Sequence, residues 1–306
     1  MTEDGLATPI DFTARYGSGL DRGIVLGGGG VYFIAWQVAY LQALARGGVD
    51  LSSADRVVGT SAGSVVATAL TAGHVGRLHA QVSALSRFPA LLHALAPAGS
   101  LTPSQLRALE AFVGAPDADA ERVRAIGRAA LAANTPEAAR IRANLQLVLQ
   151  VGSWPSPALH VTAVDAYTGE RCVVTESAGV RPARAAAASS AVPGLFPPQP
   201  LLDRKAMDGG VSGTGLHLDV VAGARRALVL ALSDGSTVTE PGMTIGVGRI
   251  ERELASLEDA GTRVLVRTPM DVDRDQLMSP EAVPDALASG ARQGEADRAL
   301  VVDFWA

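Results

Sequence analysis

The stretch Arg56-Val57-Val58-Gly59-Thr60-Ser61-Ala62-Gly63-Ser64-Val65-Val66-Ala67 decides how this chain is read. Its first residues are apolar and β-branched, which suits a buried strand. Its second half is small and helix-compatible, and it continues to Ala72, where Gly73 stops it. Between the two lies Gly59-Thr60-Ser61-Ala62-Gly63, a Gly-x-Ser-x-Gly turn joining strand to helix. A serine on so sharp a turn has strained backbone angles, and side chains two residues to either side would collide with it. Gly59 and Gly63 occupy those places. The turn lifts the hydroxyl out of the sheet and sets it at a helix N-terminus, where partial positive charge favours negative charge on a reacting group. The pentapeptide recurs by chance in many chains. The flanking strand and helix patterns make Ser61 a candidate nucleophile.

Upstream, Ile24-Val25-Leu26 runs into Gly27-Gly28-Gly29-Gly30, and residues 32–46 follow with a helical pattern closed by Gly47-Gly48. Strand, turn and helix thus occur twice in succession, which predicts an α/β fold with a mostly parallel sheet flanked by helices. Residues 80–150 are rich in Ala, Leu and Arg and broken near Pro89, between Pro97 and Pro103, and between Gly114 and Pro116. They predict a helical cap insertion, and Leu91 to Leu95 within it read as a core-facing helix segment. Residues 159–164 and 172–175 predict a hairpin around Tyr167-Thr168-Gly169. Residues 227–232 and 263–267 predict two more strands, and 284–302 a closing helix. Residues 1–21 read as a loose leader, and residues 22–306 as one domain that includes the insertion.

The composition narrows the function. Among 306 residues, 26 are Lys or Arg and 31 are Asp or Glu, a net charge of −5, with no dense basic run. Nucleic acid is not the expected partner. Cys172 stands alone, so neither an internal disulfide nor a cysteine-based zinc cluster forms. The first twenty residues lack a basic start and an apolar run, and no apolar segment is long enough to span a bilayer. A cytoplasmic address follows as the expectation, and the oligomeric state is left open.

Two further motifs carry chemistry. The four glycines can present backbone N–H groups to an oxyanion without side-chain obstruction. As a dinucleotide fingerprint they fail, because Tyr32 and Phe33 stand where glycine is required, and no Gly-Lys-Ser/Thr follows to make a phosphate loop. Met207-Asp208-Gly209-Gly210 turns sharply enough for Asp208 to approach another group closely. A carboxylate in reach of Ser61 would serve as its general base.

Glycine-rich loop, Gly-x-Ser-x-Gly and a distant Asp-Gly-Gly, in that order, resemble the patatin-like phospholipases. Ile34-Ala35-Trp36, Val57 through Ser64, and Ala188-Ser189-Ser190-Ala191-Val192-Pro193-Gly194-Leu195-Phe196-Pro197-Pro198 resemble its bacterial members. The resemblance runs from about Gly23 to beyond Leu232. It implies a three-layer α/β/α fold and a Ser–Asp dyad, with Ser61 as nucleophile and Asp208 as base. Gly28, Gly29 and Gly30 would supply oxyanion donors, and Gly59, Gly63, Gly209 and Gly210 would support the elbow and the dyad. The implied activity is a serine acyl hydrolase cleaving lipid or simple carboxylic esters through an acyl-enzyme, with no metal or organic cofactor. The implied partner is a lipid or ester substrate, with room for transient membrane contact. Many members follow the glycines with a basic residue and another glycine, where this chain has Tyr32 and Phe33.

Two rival readings remain at this point. One is a catalytically weak module that binds a lipid or a partner protein, motivated by Tyr32 and Phe33. The other is a Ser–His–Asp α/β-hydrolase, since His217 follows Ser61 and Asp208. His74 and His79 lie five apart and make a poor metal pair on a helix. Asp271, Asp273 and Asp275 lack the glycine and glutamate that a calcium loop needs next.

Overall fold

A computed structural model describes residues 6–88, 100–236, 240–270 and 272–306. Its eight-stranded sheet contains β1 (Arg22–Leu26), β2 (Arg56–Thr60), β3 (Leu159–Asp165), β4 (Arg171–Val174), β5 (Gln199–Leu201), β6 (Arg204–Asp208), β7 (Arg226–Leu230) and β8 (Arg263–Arg267). The block β3-β2-β1-β7-β8 is parallel throughout, while β4 and β6 run antiparallel to β3, and β5 antiparallel to β6. The hairpin of β3 and β4 lies where its sequence placed it. The short β5–β6 hairpin has no counterpart among the sequence expectations, because Gln199-Pro200-Leu201 is too short and too proline-marked to read as a strand.

Apolar runs in the central strands are continuous because both faces are covered. Along β1, Ile24 and Leu26 join one core and Val25 the other; along β7, Leu228 and Leu230 oppose Ala227 and Val229. The first core is closed by α1 (Gly30–Arg46), α2 (Ala62–Thr71), α3 (Val75–Leu85), α7 (Pro182–Ser189) and α9 (Val283–Trp305). The second is closed by residues around Leu216–Ala222 and by Ile250 and Leu257 of α8 (Arg249–Asp259). These layers make the α/β/α architecture.

The insertion contributes α4 (Pro103–Val113), α5 (Ala120–Ala132) and α6 (Ala138–Leu149). Phe112, Val123 and Ile126 pack on Val164, Met207 and Val211, so α4 and α5 sit over the end of the sheet that carries Asp208. The Leu91–Leu95 segment lies outside the described residues. The leader differs from its expectation. From Leu6 on it is docked: Leu6 is buried, Ala7 bridges Cys172, and Arg171 donates to the carbonyls of Thr8 and Pro9. Loose-looking composition does not reveal a backbone recruited by a buried guanidinium about 160 residues away.

One feature of the register places the site. Val161 pairs with both Gly59 and Val174, and Ala163 with both Cys172 and Asp208. A residue has one partner on each edge, so β4 takes one edge of β3, and β2 and β6 share the other. Being of opposite direction, β2 and β6 approach each other head-on. Thr60 pairs with Thr162, and Asp208 with the next residue, Ala163.

Candidate active site

Ser61 occupies the bend where β2 ends and α2 begins, with φ 52° and ψ −120°. This is a sparsely populated conformation for a residue with a side chain. Both flanking glycines are crowded, but the nearest contacts come from Gly63, Ser64 and Ala67 for Gly59 and from Leu26 and Gly27 for Gly63 rather than from the serine. A Cβ on Gly59 would lie 2.7 Å from the Gly63 carbonyl oxygen, and one on Gly63 would lie 1.9 Å from the carbonyl oxygen of Leu26. The first turn of α2 therefore rests directly on the end of β1. Substituting Gly63→Ala is expected to cost about 3 kcal/mol or more, through overpacking against backbone that cannot yield. Chemical denaturation of the variant measures it.

Asp208 is the last residue of β6 and is buried. Its Oδ1 accepts the Gly210 N–H at 2.8 Å, and its own N–H donates to the Ala191 carbonyl at 3.0 Å. Oδ2 is buried without a fully formed hydrogen bond among the described residues. Burial raises the carboxyl to about 7, against the opposing pull of the Gly210 N–H and the nearby Ser61 hydroxyl. No hydrogen bond from the Ser61 hydroxyl to Asp208 Oδ2 is formed.

The glycine loop adjoins both. A Cβ on Gly28 would lie 3.1 Å from Ser61 Cβ and 3.7 Å from its Oγ. Gly29, at the N-cap of α1, sits on Phe33 and Leu232, with 2.7 Å from a built Cβ to Phe33 Cβ. The N–H groups of Gly28, Gly29 and Gly30 carry no backbone partner among the described residues. Gly30 differs from its neighbours in one respect: its face is covered by the Leu277 carbonyl and the Met278 sulfur, and Leu277 also accepts the Tyr32 N–H at 3.1 Å. Tyr32 and Phe33 point into the core, where Phe33 stacks on Trp36 at 5.5 Å between ring centroids. Both belong to the helix that packs behind the loop.

His217 is also brought close, but to the wrong group for a triad. Its Nδ1 lies 3.5 Å from Arg171 Nη1 and its Nε2 2.9 Å from the Gly209 carbonyl oxygen. Facing a guanidinium, Nδ1 must accept; Nε2 then carries the hydrogen and donates to Gly209. Burial, with Arg171 adding to it, lowers His217 to about 4, so the ring is neutral at pH 7. Arg171 in turn is held bidentate by Asp219, at 2.6 and 2.7 Å. The Asp-Gly-Gly loop is braced again by Thr244, whose hydroxyl donates to the Gly210 carbonyl at 3.2 Å. Replacing His217 with alanine is expected to cost about 1 kcal/mol of stability by removing one of the two N–H donors to the Gly209 carbonyl, the Ser212 N–H remaining. It should leave the midpoint of a pH–rate profile near 7, set by Asp208. Kinetics from mildly acidic to mildly alkaline pH would check this.

Two contributors were not singled out from sequence for any role here. Ser189, the last residue of α7, accepts the Ser61 N–H on its Oγ at 2.8 Å. The Ala62 N–H, first in α2 and adjacent to Ser61, has no backbone partner among the described residues. The Ser189 contact, 128 residues away in the chain, is one that no local pattern encodes, whereas Ala62 lies within the elbow motif itself.

A strand–elbow–helix serine and a strand-end aspartate on one edge of a shared strand define an α/β protein of the nucleophile-elbow class. The family model described as patatin-like phospholipase matches residues 24–219, more than half of the chain. The chain belongs to that family. Among solved structures, the type III effector protein ExoU is similar at 18% identity and a TM-score of 0.30. The match covers 91% of this chain and 54% of that one, so the chain spans about half of that protein's length. No curated protein matches the chain. No helix among the described residues is long and apolar enough to cross a membrane.

Proposed function

We propose that this protein is a serine-dependent lipid acyl hydrolase working through a Ser61–Asp208 dyad. The observation that carries the proposal is the head-on meeting of β2 and β6 along one edge of β3, which brings a strained serine to a buried carboxylate. Membership of a phospholipase family supports lipid esters as the substrate class.

In the proposed reaction the Asp208 carboxylate takes the Ser61 proton while Oγ attacks the ester carbonyl. Negative charge moves to the carbonyl oxygen, where the N–H groups of Gly28, Gly29 and Ala62 receive it. Collapse of this intermediate expels the alcohol, which takes the proton back from Asp208 and leaves an acyl-serine. Water then attacks the acyl carbon as Asp208 accepts its proton. Collapse frees the carboxylic acid and returns the hydrogen to Ser61. A deprotonated Asp208 is required at both attacks, and its value of about 7 makes it a stronger base than an ordinary carboxylate.

The fluorophosphonate class of serine-reactive probe tests the assignment, together with a series of short- and long-chain esters. Labelling mapped to Ser61, with matching ester turnover, is the expected result. Specific lipid binding without labelling or turnover would favour the binding module instead. The burial of Tyr32 and Phe33 in the core supports the enzyme reading, since it gives both residues a packing role behind the loop.

A further inference from the structure

The segment Ala188-Ser189-Ser190-Ala191 is buried among the catalytic elements, and Ala188, Ser189 and Ala191 have no solvent exposure. Within three residues it holds both members of the proposed dyad. Ser189 Oγ accepts the Ser61 N–H at 2.8 Å, and the Ala191 carbonyl accepts the Asp208 N–H at 3.0 Å. The turn itself is tightly tied. Ser190 N–H donates to Ala186, Ala191 N–H to Ala188, and Val192 N–H to Ser190.

We propose that the C-terminal end of α7 is the strut that sets the separation of nucleophile and base, with Ser189 as its positioning residue. This rests on the Ser61–Asp208 reading. Ser61 lies just past the last paired residue of β2, Thr60, so the strand ladder no longer holds its N–H. Its φ of 52° is one that a free chain would relax. The Ser189 hydroxyl supplies the missing acceptor at that bend. The same turn grips Asp208 from the other side, so any movement of α7 shifts both groups together and preserves their spacing. Ser189 touches neither substrate nor the reacting oxygen and acts only through the Ser61 backbone.

The neighbouring serine provides the comparison. Ser190 Oγ is buried and has no hydrogen-bond partner among the described residues. Two adjacent serines at one helix end therefore differ in whether the hydroxyl is used.

The test uses the full chain with a chromogenic ester and a fluorophosphonate probe, reading kcat, KM, labelling rate and melting temperature. Ser189→Ala is expected to lower kcat and the labelling rate about 10- to 100-fold, with KM nearly unchanged, as misplacement of a reacting atom does. Ser189→Cys keeps the volume but offers a weak acceptor, and should show the same loss even if the alanine variant folds poorly. Ser189→Thr, which retains an oxygen in place, should recover most of kcat. Ser190→Ala should stay close to wild type. The pH–rate midpoint should stay near 7 in every variant, because the burial of Asp208 is untouched.

Wild-type kcat in both Ser189→Ala and Ser189→Cys would overturn the proposal. So would equal losses in Ser190→Ala and Ser189→Ala, which would assign the effect to packing of the helix end. A Ser61→Ala control separates the two levels. If it retains full activity, the dyad reading itself falls; if it is inert while the Ser189 variants are unaffected, only the strut does.

Discussion

Asp208→Asn is expected to abolish turnover and to stabilise the fold. Asparagine keeps the shape of the carboxylate and removes its basicity, so the proton of Ser61 has nowhere to go. General-base catalysis is worth about 10²–10⁴ in rate, and a loss toward the upper end of that range is expected for a dyad with no second base. The wild-type rate should rise with pH through about 7, as the carboxylate forms, and the variant should show no such rise. The stability effect follows from the same burial. The native-state value lies above the unfolded value of 3.8, so between the two the folded chain binds the extra proton. Stability from this group is present in full below the unfolded value and is lost as pH climbs through about 7. Once Asp208 is ionised, the cost is roughly 4 kcal/mol. A neutral amide in its place carries none of it. Denaturation at mildly acidic and mildly alkaline pH, on either side of that value, should show wild type losing stability across the interval and Asp208→Asn losing less. An unchanged pH dependence of stability in the variant would place the burial penalty elsewhere.

Replacing Ser61 should have an effect of similar size on activity, with a twist in its energetics. Both Ser61→Ala and Ser61→Gly remove the nucleophile, and ester turnover should fall by about 10⁴-fold or more, with fluorophosphonate labelling lost. The two variants should differ in stability. Alanine inherits the strained φ of 52°, whereas glycine tolerates it. Relief of strain of about 1–3 kcal/mol, less the entropy that glycine loses on folding, leaves Ser61→Gly more stable by about 1–2 kcal/mol. Thermal unfolding of the pair measures this directly. Labelling that survives Ser61→Ala would move the nucleophile to another residue.

The elbow is legible in sequence because its constraints are local. Gly59 must be small for reasons set by the turn and the helix start that follow it, Gly63 is crowded by the distant end of β1 as well, and the strand and helix on either side announce themselves by periodicity. Asp208 is half legible. Its glycines mark a turn, but its partner depends on a register along β3 that no short window contains. The role of Ser189 is not legible at all, since its contact with Ser61 spans 128 residues. The docked leader is hidden for the same reason. Its polar, turn-rich residues look unattached until Arg171 is seen to collect their carbonyls. His217 shows the converse hazard. Its order in the chain suits a triad, and the fold spends it on a carbonyl instead.

The shared edge of β3 has a consequence for how activity would appear during refolding. Nucleophile and base arrive on separate strands, one before the helical insertion and one after it, and each is measured off against neighbouring rungs of a third. Pairings so distant in the chain close late. A slip of β6 by a single rung would still leave a hydrogen-bonded sheet, yet it would turn Asp208 to the opposite face. Recovered helicity or fluorescence would then precede recovered catalysis, and a folded but silent population would register as a lag. The proposed dyad would serve as a gauge of the sheet's own alignment, accurate to a single rung.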